Sequence, residues 1–164
     1  MWKLGKNMSK EIYLKVIGEP MGKQRPKFST YNGFVKTYTP SDTLNYEGRV
    51  KHEYQVNYEG MVFEPHEQLK AVIIAYYQIP KGHYKFYKRT NQTALDRQGE
   101  LMLKGLKRPI KKPDTDNIAK ICLDSLNGIA YHDDSQIVEL CVEKWYDIEP
   151  RVEIAIWSVN NENY

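Results

Sequence analysis

The chain has 164 residues, 41% hydrophobic and 27% charged, ordinary values for one soluble globular domain with a real core. No apolar run approaches the roughly 18 residues that would cross a bilayer, and nothing resembles a signal peptide, so no membrane partner is expected. The formal charge of +3 hides an asymmetry, because residues 1–80 sum to +3, residues 81–112 to +8 and residues 113–164 to −8.

Residues 1–10 are polar and patternless, and Met8 is as good a start as Met1, so a disordered leader is expected there. Ile12, Leu14 and Val16 alternate with Tyr13, Lys15 and Ile17 as a first strand. A basic loop follows, Gly22-Lys23-Gln24-Arg25-Pro26-Lys27, and then Phe28 to Tyr38 reads as a hairpin around Asn32-Gly33, a pair that tolerates a type I′ turn. Thr39 as N-cap and Pro40 as first helical residue predict a helix to about Asn57, with Leu44, Val50 and Tyr54 near one face. Leu69 to Ile79 is rich in β-branched and aromatic residues and predicts a central strand ending at Pro80.

Residues 81–112 form a basic insert, with a helix expected between Thr93 and Leu106 although Gly99 and Gly105 weaken it. A helix from about Thr115 should end at Asn127-Gly128. Ile137 to Tyr146 and Arg151 to Ser158 both alternate, which suggests a closing antiparallel hairpin across Asp147 to Pro150, followed by a frayed tail at 159–164. Strands and helices do not alternate strictly, so one α+β domain over 11–158, with a mixed sheet packed by helices, is expected rather than a doubly wound sheet. The only cysteines, Cys122 and Cys141, lie far apart on positions that read as core, which suits a reducing cytoplasm.

The richest segment is Pro113-Asp114-Thr115-Asp116-Asn117-Ile118-Ala119-Lys120, followed by Asp124 and Asp133-Asp134. At about 100° per residue, Ile118, Ala119, Ile121, Cys122, Leu123 and Leu126 share one side of a helix, while Asp116, Asn117, Lys120 and Asp124 share the other. In one reading Asp114 and Asp116 enter a metal site from the helix start, Asp134 joins from the loop after it with Asp133 beside it, and Lys120 offsets negative charge developing at phosphorus. Hard oxygen donors without His or Cys suit Mg²⁺ or Mn²⁺.

A second reading has the acids as helix-dipole and capping groups, with Asp116–Lys120 and Lys120–Asp124 as ordinary i,i+4 pairs. The basic block next to the acidic one likewise fits either a nuclease, with one segment holding the polyanion and one the cation, or two solvated faces. Tyr84, Phe86 and Tyr87 interleave with Lys81, Lys85, Lys88 and Arg89, as stacking and phosphate contact would require and as a partly packed loop would also show. Lys23, Arg25 and Lys27 make a second candidate phosphate-binding loop, and Lys111 and Lys112 lie directly before the acidic run. The four histidines, His52, His66, His83 and His132, show no ligand spacing.

The run from Lys111 to Leu140, KKPDTDNIAKICLDSLNGIAYHDDSQIVEL, resembles the RusA family of Holliday junction resolvases, common in phages and prophages. The shared pattern is DxDN, a lysine three residues later, a DxLNG-like helix end, and a DD pair followed by Gln and an apolar strand. Gly22 to Pro26 is similar to the phage-type branch. The resemblance implies a homodimeric, Mg²⁺-dependent endonuclease that cuts four-way DNA junctions symmetrically. It implies Asp114, Asp116 and Asp134 as metal-binding carboxylates and Lys120 as the catalytic lysine. Where some members carry Arg before the first Asp, this chain has Pro113. Two rivals stay open: a nuclease for flaps, forks or replication intermediates, and a non-catalytic junction-binding module.

Overall fold

A computed structural model describes residues 10–159 apart from Asn32. Residues 1–9, the first half of the expected turn at Asn32-Gly33, and residues 160–164 of the expected tail therefore lie outside the described residues. The elements run β1 (Glu11–Ile17), β2 (Lys27–Tyr31), β3 (Phe34–Tyr38), α1 (Ser41–Asn57), β4 (Leu69–Gln78), β5 (Tyr84–Tyr87), β6 (Gln92–Leu95), α2 (Arg97–Leu103), α3 (Thr115–Leu126), β7 (Ile137–Asp147) and β8 (Arg151–Ser158). This is the expected α+β domain.

The main sheet has the order β1-β8-β4-β7. β4 pairs antiparallel with β8 and parallel with β7, and β1 pairs antiparallel with β8. Period-two alternation does what it should, since Ile12, Leu14 and Val16 of β1 and Val152, Ile154 and Ile156 of β8 are all buried. Against that face α1 lays Tyr46, Val50 and Tyr54, and α3 lays Ile118, Ile121, Cys122 and Leu126. The link from β4 to its parallel neighbour β7 carries α3 as the crossover helix, as parallel pairing requires.

Five sequence expectations are corrected. β7 and β8 are not a hairpin, because β4 lies between them. Alternation specifies which face a strand buries but not which strand it pairs with. The Asp147–Pro150 connection spans the gap, accepting a bond from Ile79 N at the end of β4 (3.1 Å) and another from Gly18 N (2.8 Å). The helix expected over Thr93–Leu106 divides into β6 and a shorter α2. Asp96 caps α2 by accepting from Gly99 N (2.9 Å), and Gly105 stops it with φ 74°.

Pro40 is the N-cap of α1 rather than its first residue, and it makes no side-chain cap bond. Leu44 is 54% exposed, and the buried stripe of α1 is Thr43, Tyr46, Val50 and Tyr54. Cys141 is exposed, while Cys122 is buried and its thiol pKa is pushed up to about 12 by that burial. Two separate two-stranded ribbons complete the fold: β2–β3, turning at Gly33 with φ 79°, and β5–β6 within the basic insert.

Candidate active site

The helix α3 divides as its pattern predicts. Ile118, Ala119, Ile121, Cys122, Leu123 and Leu126 are buried, and Asp116 and Lys120 are exposed. Asp114 is the N-cap in extended conformation (φ −76°, ψ 157°), yet its carboxylate makes no capping bond. That carboxylate is not consumed by the helix and stays available at the helix start, where the dipole favours negative charge. Asp116 accepts only a long bond (3.4 Å) from the neighbouring Asn117 amide.

The basic loop after β1 reaches this helix. Lys23 N donates to Asn117 O (2.9 Å). A Cβ on Gly22 would lie 2.7 Å from Pro113 Cβ and 3.0 Å from Asn117 Cβ, so the approach needs a glycine. Between loop and helix opens a cleft of about 670 Å³ lined by Lys23, Arg25, Lys112, Pro113, Asp114 and Asn117. The Lys23 ammonium bonds Glu47 and sits 3.1 Å from Asp124. Burial alone would lower its pKa, but the bonds it donates to Glu47 and Asp124 outweigh this and hold it above its ordinary value. Asp124 thus has a partner of its own.

A strap over residues 105–113 runs along the outer edge of β7 and delivers Asp114. Arg108 lies over the Trp145 ring, 3.1 Å from its centroid, and donates to Lys144 O (2.6 Å) and to Glu143 (3.1 Å). Lys144 in turn donates to the carbonyls of Lys111 and Pro113, the latter at 3.0 Å. Tyr77 O–H donates to Pro113 O (3.3 Å). The ammonium groups of Lys111 and Lys144 lie 5.0 and 5.3 Å from the Tyr77 ring centroid. Burial lowers the pKa of Lys144; Asp114 opposes that shift and Lys111 adds to it. Burial, then Glu19 and Asp114, raise that of Tyr77.

The second acidic pair lies elsewhere along the crossover. Asp133 caps a short 3₁₀ turn, Asp134–Gln136, by accepting from Ser135 N (2.9 Å), and Gln136 reaches back to His132 N and Asp133 N. The Asp133 pKa is lowered by those Ser135 bonds. Asp134 precedes β7, whose first residue pairs with Leu69 at the start of β4, whereas Asp114 lies by Tyr77 near the end of β4. Asp134 and Asp124 both act on the Tyr131 phenol, which burial raises first, and its hydroxyl donates to Leu123 O (2.8 Å). Asp134 is thus associated with the Asp124 end of α3.

Residues 18–157 match the family described as endodeoxyribonuclease RusA. The chain belongs to the RusA endodeoxyribonuclease family. It is also 34% identical over 156 residues to the uncharacterized protein YqaN of Bacillus subtilis (strain 168), covering 91% of this chain and 97% of that protein.

Within this RusA-family fold, no three His, Cys, Asp or Glu side chains among the described residues converge closely enough to hold a metal as they stand. Two carboxylates, Asp114 and Asp116, stand two residues apart at the start of α3, and of the two Asp114 lines the cleft. Mg²⁺ commonly takes one or two carboxylates and completes its shell with water and substrate phosphate. Arg25, Lys27, Lys85, Lys88, Arg89, Lys111 and Lys112 are exposed, and Lys23 is half-buried in its ion pairs. No helix is long and apolar enough to cross a membrane.

Sequence reasoning missed Lys144, Tyr77 and Arg108. The first left a trace, because Lys144 is one of only three Lys/Arg in residues 113–164. A lysine kept in so acidic a segment asks for a specific partner.

Proposed function

We propose that this chain is a Mg²⁺-dependent endonuclease of branched DNA whose preferred substrate is the four-way junction. The observation that carries the reading is the uncapped Asp114 carboxylate beside Asp116 at the start of α3, opening on a cleft edged by Lys23, Arg25 and Lys112. Asp114 and Asp116 would hold the cation, Mg²⁺ or Mn²⁺, and Asp134 would join them as the third carboxylate once its loop closes along α3. When bound, the cation would supply positive charge against the oxygens of the phosphate whose phosphorus is attacked. Lys120, exposed in the second turn of α3, offsets the negative charge that develops on phosphorus oxygens. Arg25, Lys27, Lys85, Lys88, Arg89, Lys111 and Lys112 hold the backbone, which makes binding steeply salt-dependent.

Hydrolysis leaves 5′-phosphate and 3′-hydroxyl ends. A two-fold homodimer matches a substrate with two equivalent strands to cut, and the setting is cytoplasmic. The deciding experiment offers synthetic four-way junctions, flaps and forks with Mg²⁺ and maps the nicks. Paired nicks at symmetric positions in the four-way junction support resolution, whereas faster cutting of flaps or forks moves the substrate to replication intermediates. Asp116→Asn should keep junction binding and lose cutting. A variant that cuts like the parent removes the catalytic assignment.

A further inference from the structure

Ile110 is the most exposed large apolar side chain in the described chain, at 99%. Isolated exposed hydrophobics are common and need no explanation by themselves. This one differs because its neighbours are fixed and it is not. Arg108 is held by Trp145, Glu143 and Lys144 O, and Pro109 is buried with φ locked by its ring. Immediately after Ile110, the carbonyls of Lys111 and Pro113 are held by Lys144. A strap anchored on both sides of one residue holds that side chain out in solvent at little further entropic cost. Leu106, 75% exposed on the same strap, extends the apolar surface.

The surroundings say what this surface meets. Lys107, Lys111 and Lys112 are exposed beside it, in the segment that carries +8. A cationic rim around an apolar point fits a polyanion whose interior is apolar, which is a stack of DNA bases. Apolar side chains that enter such a stack push adjacent bases apart and kink the strand. Asp114 follows four residues later, so Ile110 lies within about 14 Å of it even if the chain is fully extended. At about 3.4 Å per nucleotide of one strand, that reach covers about four base steps.

We propose that Ile110 is a wedge that inserts into the base stack of branched DNA within about four nucleotides of the cut phosphate, opening the strand that enters the Asp114 cleft. This rests on the nuclease reading above, and the test separates the two. 2-Aminopurine, which brightens when unstacked, is placed at each of the four positions flanking the mapped nick. Binding is followed in an Asp116→Asn background with Mg²⁺, so that no cutting intervenes.

The expected result is a fluorescence rise at one or two of these positions, absent with Ile110→Ala and kept with Ile110→Phe. In the otherwise unaltered chain, Ile110→Ala should lower the cutting rate by about tenfold, since the base step must then open unaided. Its melting temperature should not move, because the side chain packs against nothing. If the parent binds and cuts branched DNA with no rise at any position, or if Ile110→Ala cuts as the parent does, the wedge is wrong and the nuclease reading stands. If Ile110→Ala instead changes self-association in sedimentation, Ile110 belongs to a protein interface and the wedge is again wrong. If the parent neither binds nor cuts branched DNA, the nuclease reading fails first.

Discussion

Lys144→Met removes the ammonium that ties the strap to β7 while keeping a flexible apolar stem of similar length. Two hydrogen bonds from a charged donor to backbone carbonyls are lost, each of a kind worth about 1.5–3 kcal/mol. They are not additive, because one ammonium makes both and some of their strength offsets its burial, the same burial that lowers the Lys144 pKa. A net loss of about 2 kcal/mol is therefore expected for docking of the strap. This is roughly a 30-fold change in the equilibrium between docked and released strap, at about 1.4 kcal/mol per factor of ten. Urea denaturation followed by tryptophan fluorescence suits the measurement, since Trp145 lies under Arg108 on the same edge.

The functional consequence runs through Asp114, whose position at the helix start is set by the segment that Lys144 grips. A displacement of about 1 Å at a catalytic carboxylate can cost about 100-fold in rate. The cutting rate should accordingly fall by about 30- to 100-fold, while junction affinity changes by less than about threefold, since Lys144 faces the strap rather than the solvent. Lys144→Arg, which keeps the charge, should recover some of the rate. If Lys144→Met leaves both the urea midpoint and the cutting rate as they were, the strap does not position Asp114.

Two further predictions concern the acidic residues. Asp124→Asn should keep cutting within about threefold of the parent and cost no more than about 1 kcal/mol, because Lys23 retains Glu47 as a partner; a collapse like that expected for Asp116→Asn would move Asp124 into the catalytic set. Asp147 accepts from Arg151 (2.7 Å) and from Ile148 N (2.6 Å); burial would raise its pKa, but these bonds outweigh it and hold the carboxyl below the usual range. Its stabilising contribution is present above the unfolded value of about 4 and is lost as pH falls through the lower folded value. Asp147→Asn should thus be less stable than the parent at pH 7, and the gap should narrow on going to pH 3; a gap that stays constant in urea denaturation would refute the linkage.

Much of the fold was legible because burial is written in local periodicity. The faces of β1, β8 and α3 follow from spacing alone, β4 shows as a strand through its composition, and the division of α3 into an apolar and a charged side appears residue for residue. What failed was pairing. Arg151–Ser158 alternates whether it sits beside Ile137–Asp147 or beside Leu69–Gln78, and only the competition among strands for buried neighbours puts β4 in the middle. The same limit explains Cys141. Its alternating neighbours suggested core, but in β7, an edge strand, the four residues from Val138 to Cys141 are exposed in succession, so neither face of that stretch is covered. In α2, a single capping aspartate and a single positive-φ glycine set the limits, against a window whose average composition favoured a longer helix.

The topology also separates the carboxylates that the sequence pattern grouped. β4 and β7 are the one parallel pair in the main sheet, and α3 crosses between them. In open sheets with such crossovers, ligands gather at the carboxyl ends of the strands, where the next helix begins. Asp114 and Asp116 stand at that end, by Tyr77 and Lys144, whereas Asp134 stands where β7 begins and Asp133 is occupied as a cap. Twelve residues of helix span about 18 Å between the two ends. Three aspartates can therefore form one catalytic set only if the loop carrying Asp134 folds back along α3 toward Lys120. Comparing Asp134→Asn with Asp116→Asn asks directly whether it does: equal loss of cutting, with binding retained in both, requires that closure, and a residual rate in Asp134→Asn alone assigns the chemistry to the start of α3.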